Sequence, residues 1–333
     1  MIIQVGSIRL RVEIHGEKHP QPEMEAWSAS SGYTLHSASP DTSLKIFILP
    51  EMHLEHILLD EEAAALRRML EDIEKRFPYA KFPYEWVTGA HAGGSPIAPR
   101  PQALPMPFIS RSIMDRFSLV PLRHSLLALN HDDRRGIALV RGKGPCSLNS
   151  ALNQVIQAAV CMLAPEKEAV VLHACSAVLE GNGYLFLGVS GSGKSTIASA
   201  LPMEHVLSDE STLCFKAHGI PLLGPTPFTQ DENLRMRSQP APLRRVLFLK
   251  KDKENFLEDV SPGAAVVRIL HNHIHFFSLF RRQEALRAFR AVEGMARSAP
   301  ASILHFTQRF DPLHFFRETV YEEKKALRTA NDH

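Results

Sequence analysis

Residues 188–196 read Gly-Val-Ser-Gly-Ser-Gly-Lys-Ser-Thr, a complete match to the pattern G-x-x-x-x-G-K-[ST]. The apolar run 184–187 (Tyr-Leu-Phe-Leu) precedes this stretch, and the helix-prone run 197–201 (Ile-Ala-Ser-Ala-Leu) follows it. The motif holds phosphate in this strand-to-helix context. Its glycines let the backbone curl, so that successive N–H groups and the positive end of a helix dipole point at one polyphosphate. The sequence therefore predicts a nucleotide-binding P-loop.

The same motif predicts which residues contact the nucleotide and its metal ion. Lys194 is expected to lie against the β and γ phosphates, and the hydroxyl of Ser195 is expected to hold Mg²⁺. The alternative is a glycine-rich turn without a ligand, and the agreement of pattern, lysine, hydroxyl and flanking elements argues against it. The predicted nucleotide-binding residues are Gly188, Val189, Ser190, Gly191, Ser192, Gly193, Lys194, Ser195 and Thr196.

The composition is that of an ordinary globular protein, with 44% hydrophobic residues, 22% charged residues and a net charge of +2 over 333 residues. Basic residues occur only in short clusters, which argues against a nucleic-acid partner. Polar residues interrupt the longest apolar region, 169–189, so we expect no membrane partner. The first 14 residues alternate like a strand and do not resemble a signal peptide. Four cysteines without C-x-x-C spacing indicate buried thiols in a reducing compartment, and we expect a cytoplasmic protein.

The sequence predicts three parts. Residues 1–110 are expected to form a small α+β module, with strands at 2–14 and 44–49 and a helix over about 60–77. Residues 88–107 hold three glycines and five prolines, which cannot continue a helix or a central strand. Residues 111–310 are expected to be the catalytic domain, and residues 311–333 a C-terminal helical tail.

The predicted fold class is α/β, with a mixed sheet around the P-loop. The runs 117–129 and 136–140 are predicted to form a strand hairpin closed by residues 130–134. Ser147 is expected to cap a helix that reaches Leu163, and Ser261-Pro262 to start another. A Gly-Asn-Gly turn at 181–183 makes the P-loop strand the second arm of a hairpin. Further strands are predicted at 170–172, 177–179, 184–189, 205–208, 245–249 and 302–306, the last of these between two helices.

Asp209 and Glu210 are the candidate carboxylates for phosphoryl transfer, which needs an acid that orders Mg²⁺ and a group that orients or deprotonates the acceptor. They follow a short strand, at a distance from Lys194 that one helix and a return to the neighbouring strand would use. Neighbouring charge can push the pKa values of two adjacent acids apart, so the pair could divide these tasks. His173 lies on the preceding strand, and either a buried core histidine or a site residue fits its surroundings.

Three segments together resemble the catalytic core of HPr kinase/phosphorylase and its smaller relatives, including HPr-kinase-like enzymes found with peptide-modification systems. These segments are 172–178 (Leu-His-Ala-Cys-Ser-Ala-Val), 184–196 and 207–210 (Leu-Ser-Asp-Glu). Residues 224–228, 242–249 and 254–262 are also similar to that group, so the resemblance covers about Val170 to Leu270. It implies a P-loop kinase fold, and an ATP- and Mg²⁺-dependent phosphotransferase that acts on a serine hydroxyl of a protein or peptide.

The resemblance also implies roles for individual residues. Asp209 would accept the hydroxyl proton, and His173 would stand next to this carboxylate. Glu210 and Ser195 would hold Mg²⁺, with Asp209 as a further candidate ligand. The family's usual second Asp is Glu210 here, which keeps the charge and moves it outward. The first 150 residues do not match the N-terminal domain of the HPr enzyme, which argues against HPr itself as the substrate. The reverse, phosphorolytic activity is not carried over, and homo-oligomer formation stays open.

Other functions remain as alternatives. The chain lacks the Leu-Ser-Gly-Gly-Gln-like signature of an ABC ATPase and the Asn-Lys-x-Asp base reader of a GTPase. A small-molecule kinase of the same fold, a distant carboxykinase-like enzyme and a catalytically weak nucleotide-binding scaffold stay open. His271-Asn-His-Ile-His275 could chelate zinc if it were extended, but the end of a structural element fits it better. Arg235 and Arg237 could stabilise the transferring phosphoryl group or lie in a solvated loop.

Overall fold

The protein is described by a computed structural model that covers residues 2–5, 7–15, 34–35, 40–49, 117–122, 125–130, 134–141, 148–228 and 239–319. By their contacts the residues group into two units, one of residues 1–4 and 9–160 and one of residues 5–8 and 161–333. The helix predicted over 60–77, the proline-rich segment 88–107, Cys146, Ser147, Arg235 and Arg237 lie outside the described residues, as does most of the predicted tail.

Strands dominate the described part of the first unit. Its sheet has the order β3-β1-β2-β4-β7-β6-β5, with β2, β4 and β7 parallel and an antiparallel pair at each end. Their bounds are β1 Ile2–Val5, β2 Ile8–His15, β3 Thr34–Leu35, β4 Thr42–Leu49, β5 Phe117–Leu122, β6 Ser125–Asn130 and β7 Arg135–Arg141. Strands before and after residue 110 thus share one sheet, and the contacts divide the chain nearer to residue 160.

Two strand predictions in this unit were wrong in the same way. The run 2–14 forms two strands, β1 and β2, because the chain turns at Ser7. The run 117–129 is also two strands, since β5 and β6 pair with each other from Phe117 with Asn130 to Leu122 with Ser125. The hairpin predicted around 130–134 is confirmed, and it joins β6 to β7. Apolar runs of this length do not by themselves reveal an internal reversal.

The second unit contains the motif at the end of a strand hairpin. Helix α1 (Leu148–Leu163), most of whose residues belong to the first unit, ends where predicted, before Pro165. The strands β8 (Val170–Leu179) and β9 (Asn182–Leu187) pair antiparallel across the Gly-Asn-Gly turn, which confirms the predicted hairpin. The separate strands predicted at 170–172 and 177–179 are one continuous strand. The polar Ser176 does not interrupt it, because its hydroxyl lies 2.8 Å from that of Thr212 on a neighbouring strand.

The described residues of this unit contain a mixed sheet of eight strands. The central strand β9 is antiparallel to β8 and parallel to β13, which is itself parallel to β15. The other seven strands are hydrogen-bonded to one another in the order β10-β8-β11-β12-β13-β15-β14. The helix α2 (Lys194–Ser199) follows the motif, and the remaining strands are β10 Val206–Ser208, β11 Ser211–Ala217, β12 Ile220–Gly224, β13 Ala241–Lys251, β14 Phe256–Val260 and β15 Ala301–Phe306.

Two helices pack against each other before β15. The first, α3 (Pro262–Asn272), begins as predicted, with the Ser261 hydroxyl accepting a hydrogen bond from the Ala264 amide. The second, α4 (Arg282–Ser298), precedes β15, and residues 312–319 are helical after it, so the predicted bracketing of this strand is confirmed. No helix in the described ranges is both long and apolar enough to span a bilayer.

Both faces of β9 are buried, which fixes the position of the strand that leads to the motif. Leu185 and Leu187 belong to one core with residues of α3 and α4. Tyr184 and Phe186 belong to a second core with Ile197 of α2 and Phe306 of β15. Cys161, Cys175 and Cys214 are buried free thiols, and burial raises the pKa of each.

Candidate functional site

The motif forms the turn between the end of β9 and the start of α2. Two of its glycines have left-handed backbone angles, with φ of 78° at Gly191 and 108° at Gly193. Side-chain-bearing residues rarely adopt such angles, so glycine at these positions follows from the shape of the turn. The Ser192 amide donates to the Val189 carbonyl at 3.1 Å, which closes the curl. The loop thus lies at the strand-to-helix junction that the sequence predicts.

Gly193 also lies directly on an aromatic ring. A Cβ at this position would come within 2.6 Å of the Phe306 ring, which is buried in the second core. Gly191 has open space on the same side of its backbone. The last residue of β15 therefore supports the end of the loop at Gly193.

We expect Gly193→Ala to destabilise the protein by about 1–3 kcal/mol, because it combines an unfavourable φ with a clash against Phe306. Gly191→Ala is the matched control, since it changes a left-handed glycine of the same loop without a clash. Urea unfolding of both variants measures the difference, and nucleotide titration measures its effect on binding. Equal losses of stability in the two variants would show that the contact with Phe306 is unimportant.

Lys194 is buried and points back into the loop. Its Nζ donates to the Gly188 carbonyl at 2.7 Å and lies 3.5 Å from the Val189 carbonyl. Burial lowers the pKa of Lys194, and the negative charge of Glu210 opposes this effect. The ammonium is thus held at the point where the backbone leaves β9, with an acid close enough to influence it.

Asp209 and Glu210 lie in the short turn between β10 and β11. Both strands pair with β8, Ser208 opposite Ser176 and Ser211 opposite His173. The Ser208 hydroxyl donates to the Ser211 carbonyl at 2.7 Å and accepts from its amide at 3.1 Å, which holds the turn closed. The sequence analysis missed this role of Ser208.

Register brings this acidic turn next to the motif. The Ala174 amide donates to the Glu210 carbonyl at 2.9 Å, and Ala174 is the partner of Leu187, the last residue of β9. Two strand spacings, about 10 Å, therefore separate the backbone at Glu210 from the start of the loop. Cys175 follows Ala174 on β8. Burial raises the pKa of its thiol, and the negative charge of the nearby Asp209 raises this pKa further.

His173 is on the site side of β8. Its Nδ1 lies 3.5 Å from a carboxylate oxygen of Glu210, and its side chain is 31% exposed. Burial lowers the pKa of His173, and the charge of Lys194 lowers it further, so the imidazole is neutral near pH 7. His173 is therefore not a fully buried core histidine, and its role in the site stays a prediction.

Two further histidines join this group from the chain after α3. The His173 amide donates to the His273 carbonyl at 2.8 Å, and the His275 amide donates to the Val171 carbonyl at 3.2 Å. The His275 ring lies 5.5 Å from the His173 ring, and its Nε2 lies 3.1 Å from the Ser211 hydroxyl. The sequence shows only that these histidines alternate with other residues. The pairing with β8 is a long-range contact that no local pattern indicates.

These two imidazoles are neutral. Burial lowers the pKa of His273 and of His275 to about 4 in each case, and the positive charge of Lys194 adds a smaller effect at His273. The site therefore combines the Lys194 ammonium with two carboxylates and three uncharged imidazoles. His271 lies apart from the group, because it is exposed in the last turn of α3 and its Nδ1 contacts Asn272.

The low pKa of His275 predicts acid sensitivity. An unfolded histidine binds a proton near pH 6.5, and folded His275 resists this until about pH 4, so stability falls as the pH drops through this window. We expect His275→Gln to reduce that fall, since Gln can keep the contact with Ser211. Urea unfolding at pH 7 and pH 5 measures it, with His271→Gln as the exposed control. A wild-type loss no larger than that of His275→Gln would contradict this prediction.

Four predicted site residues, His173, Lys194, Asp209 and Glu210, thus come together around the end of β9. Ser195 is exposed at the start of α2, beside the loop. Within the ranges that the structure covers, no three His, Cys, Asp or Glu side chains are grouped closely enough to hold a metal ion by themselves. The imidazoles of residues 271–275 form no such group either, and His271 is exposed whereas His273 is buried.

Comparisons with known proteins point to the same part of the chain. The profile of the family described as SynChlorMet cassette protein ScmC matches residues 147–310, just under half of the chain. That range contains the motif, the acidic turn and all the imidazoles described above. The site therefore lies within the region that is similar to this family.

One similar solved structure is the Hpr(Ser) kinase/phosphatase from Coxiella burnetii. It is 11% identical over 47% of this chain and 98% of its own, with a TM-score of 0.29. No curated protein is significantly similar to the chain in sequence.

Proposed function

We propose that this protein is an ATP- and Mg²⁺-dependent kinase that transfers the γ-phosphate to a hydroxyl group, that of a serine in a protein or peptide. The observation that carries the proposal is the row formed by Leu187, Ala174 and Glu210. It sets the start of a G-x-x-x-x-G-K-S loop beside an Asp-Glu turn. A loop alone would support nucleotide binding, whereas a loop with adjacent carboxylates has the groups that phosphoryl transfer requires.

Each of these residues has a task that its environment suits. The Lys194 ammonium would exchange its bonds with backbone carbonyls for bonds with phosphate oxygens, which are stronger because both partners are charged. Asp209 would accept the proton of the attacking hydroxyl. Neutral His173, in contact with Glu210, would keep the acidic turn in place without adding a second positive charge.

The residues present fit both ATP and magnesium. The left-handed glycines at 191 and 193 let the backbone curl tightly, so that successive N–H groups of the loop would point at one phosphate. The Ser195 hydroxyl, Glu210 and Asp209 offer oxygen ligands, which Mg²⁺ prefers. When bound, Mg²⁺ supplies charge neutralisation at the β and γ phosphates.

The acceptor is expected among proteins encoded beside this chain, because the matching family is described as a cassette protein. We expect a cytoplasmic reaction, since Cys161, Cys175 and Cys214 are unpaired. The test is incubation of the purified protein with radiolabelled ATP, Mg²⁺ and each neighbouring protein, followed by mass spectrometry of the labelled product. A phosphoserine in one of these proteins would support the proposal.

Other outcomes distinguish the remaining functions. Label in a small molecule would indicate a small-molecule kinase. Tight nucleotide binding without transfer to any acceptor would indicate a scaffold, and Glu210 in place of a second Asp is the feature that fits this result. Failure of the purified protein to bind ATP with Mg²⁺ would overturn all of these functions together.

A further inference from the structure

The chain after α3 occupies an unusual position in the sheet. Strand β9 pairs with β8 as far as Leu187, which is opposite Ala174. The next residue of β8, His173, donates its amide to the His273 carbonyl at 2.8 Å. His273 therefore takes the edge of β8 at the point where β9 ends and the loop begins.

The imidazole of His273 lies in front of the end of β9. Its backbone is bonded to β8 on one side of β9, and its ring lies 6.2 Å from that of Phe248 on the other side. Phe248 is the partner of Leu187 on β13. A ring that reaches from β8 towards β13 at this level crosses the carboxyl end of β9, where Lys194 bonds to the Gly188 carbonyl.

This imidazole also has a polar atom without a partner. His273 is 5% exposed, and no described residue forms a hydrogen bond with its Nδ1. A buried polar atom without a partner is costly, and such atoms in native proteins often have a binding role. Burial and the charge of Lys194 keep the ring neutral, so one ring nitrogen can donate a hydrogen bond and the other can accept one.

We propose that His273 is a catalytic residue that forms a hydrogen bond with the transferring phosphoryl group next to Lys194. This inference rests on the proposed kinase function and adds a residue to its site. A neutral donor beside the ammonium stabilises charge on the phosphoryl oxygens without repelling Lys194. His173 has a different role in this proposal, because its Nδ1 lies 3.5 Å from a carboxylate oxygen of Glu210.

The test compares binding of ADP with binding of ADP plus aluminium fluoride, which mimics the phosphoryl group in the transition state. Three variants of the full-length protein are titrated with Mg²⁺ present. His273→Leu removes the polar atoms and keeps the bulk, His273→Asn keeps a polar atom near the position of Nδ1, and His271→Asn is the exposed control. Circular dichroism confirms that each variant is folded.

We expect His273→Leu to weaken binding of the ADP–fluoride complex about ten- to hundredfold, with little change for ADP alone. His273→Asn should recover part of this loss, and His271→Asn should match the wild type. Equal effects of His273→Leu on the two ligands, or no effect on either, would overturn the role of His273. If His273→Leu does not fold, the comparison is made between His273→Asn and His273→Gln, whose polar atoms lie at different distances from the backbone. Equal enhancement of ADP binding by aluminium fluoride in these two variants would then overturn the role of His273.

The same titrations separate this inference from the proposed function. A wild-type protein that binds neither ADP nor the ADP–fluoride complex would contradict the kinase proposal itself. A wild-type protein with strong fluoride enhancement, which His273→Leu retains in full, would contradict only the role of His273.

Discussion

Replacement of Lys194 by methionine is expected to lower phosphoryl transfer by about a hundred- to a thousandfold. Methionine keeps most of the length and apolar bulk of the lysine stem, so the core around α2 should change little. The ammonium is lost, and with it the charged donor that lies at the end of β9. Removal of one well-placed donor from a charged transition state typically has an effect of this size.

Initial rates with radiolabelled ATP measure this effect, and equilibrium titration with ATP shows how much of it comes from binding. Lys250→Met is the matched control, because Lys250 is an exposed lysine of β13 in the same unit. It should leave both quantities unchanged. A Lys194→Met protein with the wild-type rate would remove the loop from the mechanism.

The second large effect is expected for Asp209→Asn, which should lower turnover by about a hundred- to ten-thousandfold while ATP binding stays within a fewfold of the wild type. Asparagine has the shape of aspartate but cannot accept the proton of the attacking hydroxyl. The turn should keep its geometry, because Ser208 and Ser211 hold it through their own hydrogen bonds.

Glu210→Gln separates the two acids of the turn. If Glu210 holds Mg²⁺, this variant should need a higher magnesium concentration for its half-maximal rate, and excess Mg²⁺ should restore much of that rate. Excess Mg²⁺ should restore little of the turnover of Asp209→Asn, because that variant also lacks the proton acceptor. Asp259→Asn, a change at an exposed acid of β14, is the control. Full turnover by Asp209→Asn would exclude Asp209 as the base.

Local patterns predicted the parts of the site that depend on neighbouring residues in the chain. The loop at the end of β9, the hairpin that leads to it and the helix start at Ser261 each follow from a motif, a turn or a cap within a few residues. The mixed sheet was also expected, and the structure has it. The length of one helix and one short strand predicted that Asp209 and Glu210 follow the strand next to β9, whereas in the structure β8 lies between β10 and β9.

Long-range contacts explain what the sequence could not reveal. His273 and His275 reach the site through pairing with β8, which is remote in sequence and depends on where α3 ends. Residues 173–176 were not included in the predicted strands, whereas in the folded protein they are part of β8, where the Ser176 hydroxyl lies 2.8 Å from that of Thr212. The support of Gly193 by Phe306 likewise depends on the parallel pairing of β13 with β15.

The ring of Phe306 beneath Gly193 limits how far the chain can be shortened. A fragment that ended after α4 would keep every residue with a proposed chemical role and would lose the contact between Phe306 and Gly193. Phe310 and Phe316 pack in the same core as Phe306, so the aromatic residues that follow β15 extend this dependence. A minimal nucleotide-binding fragment must therefore continue well past residue 306.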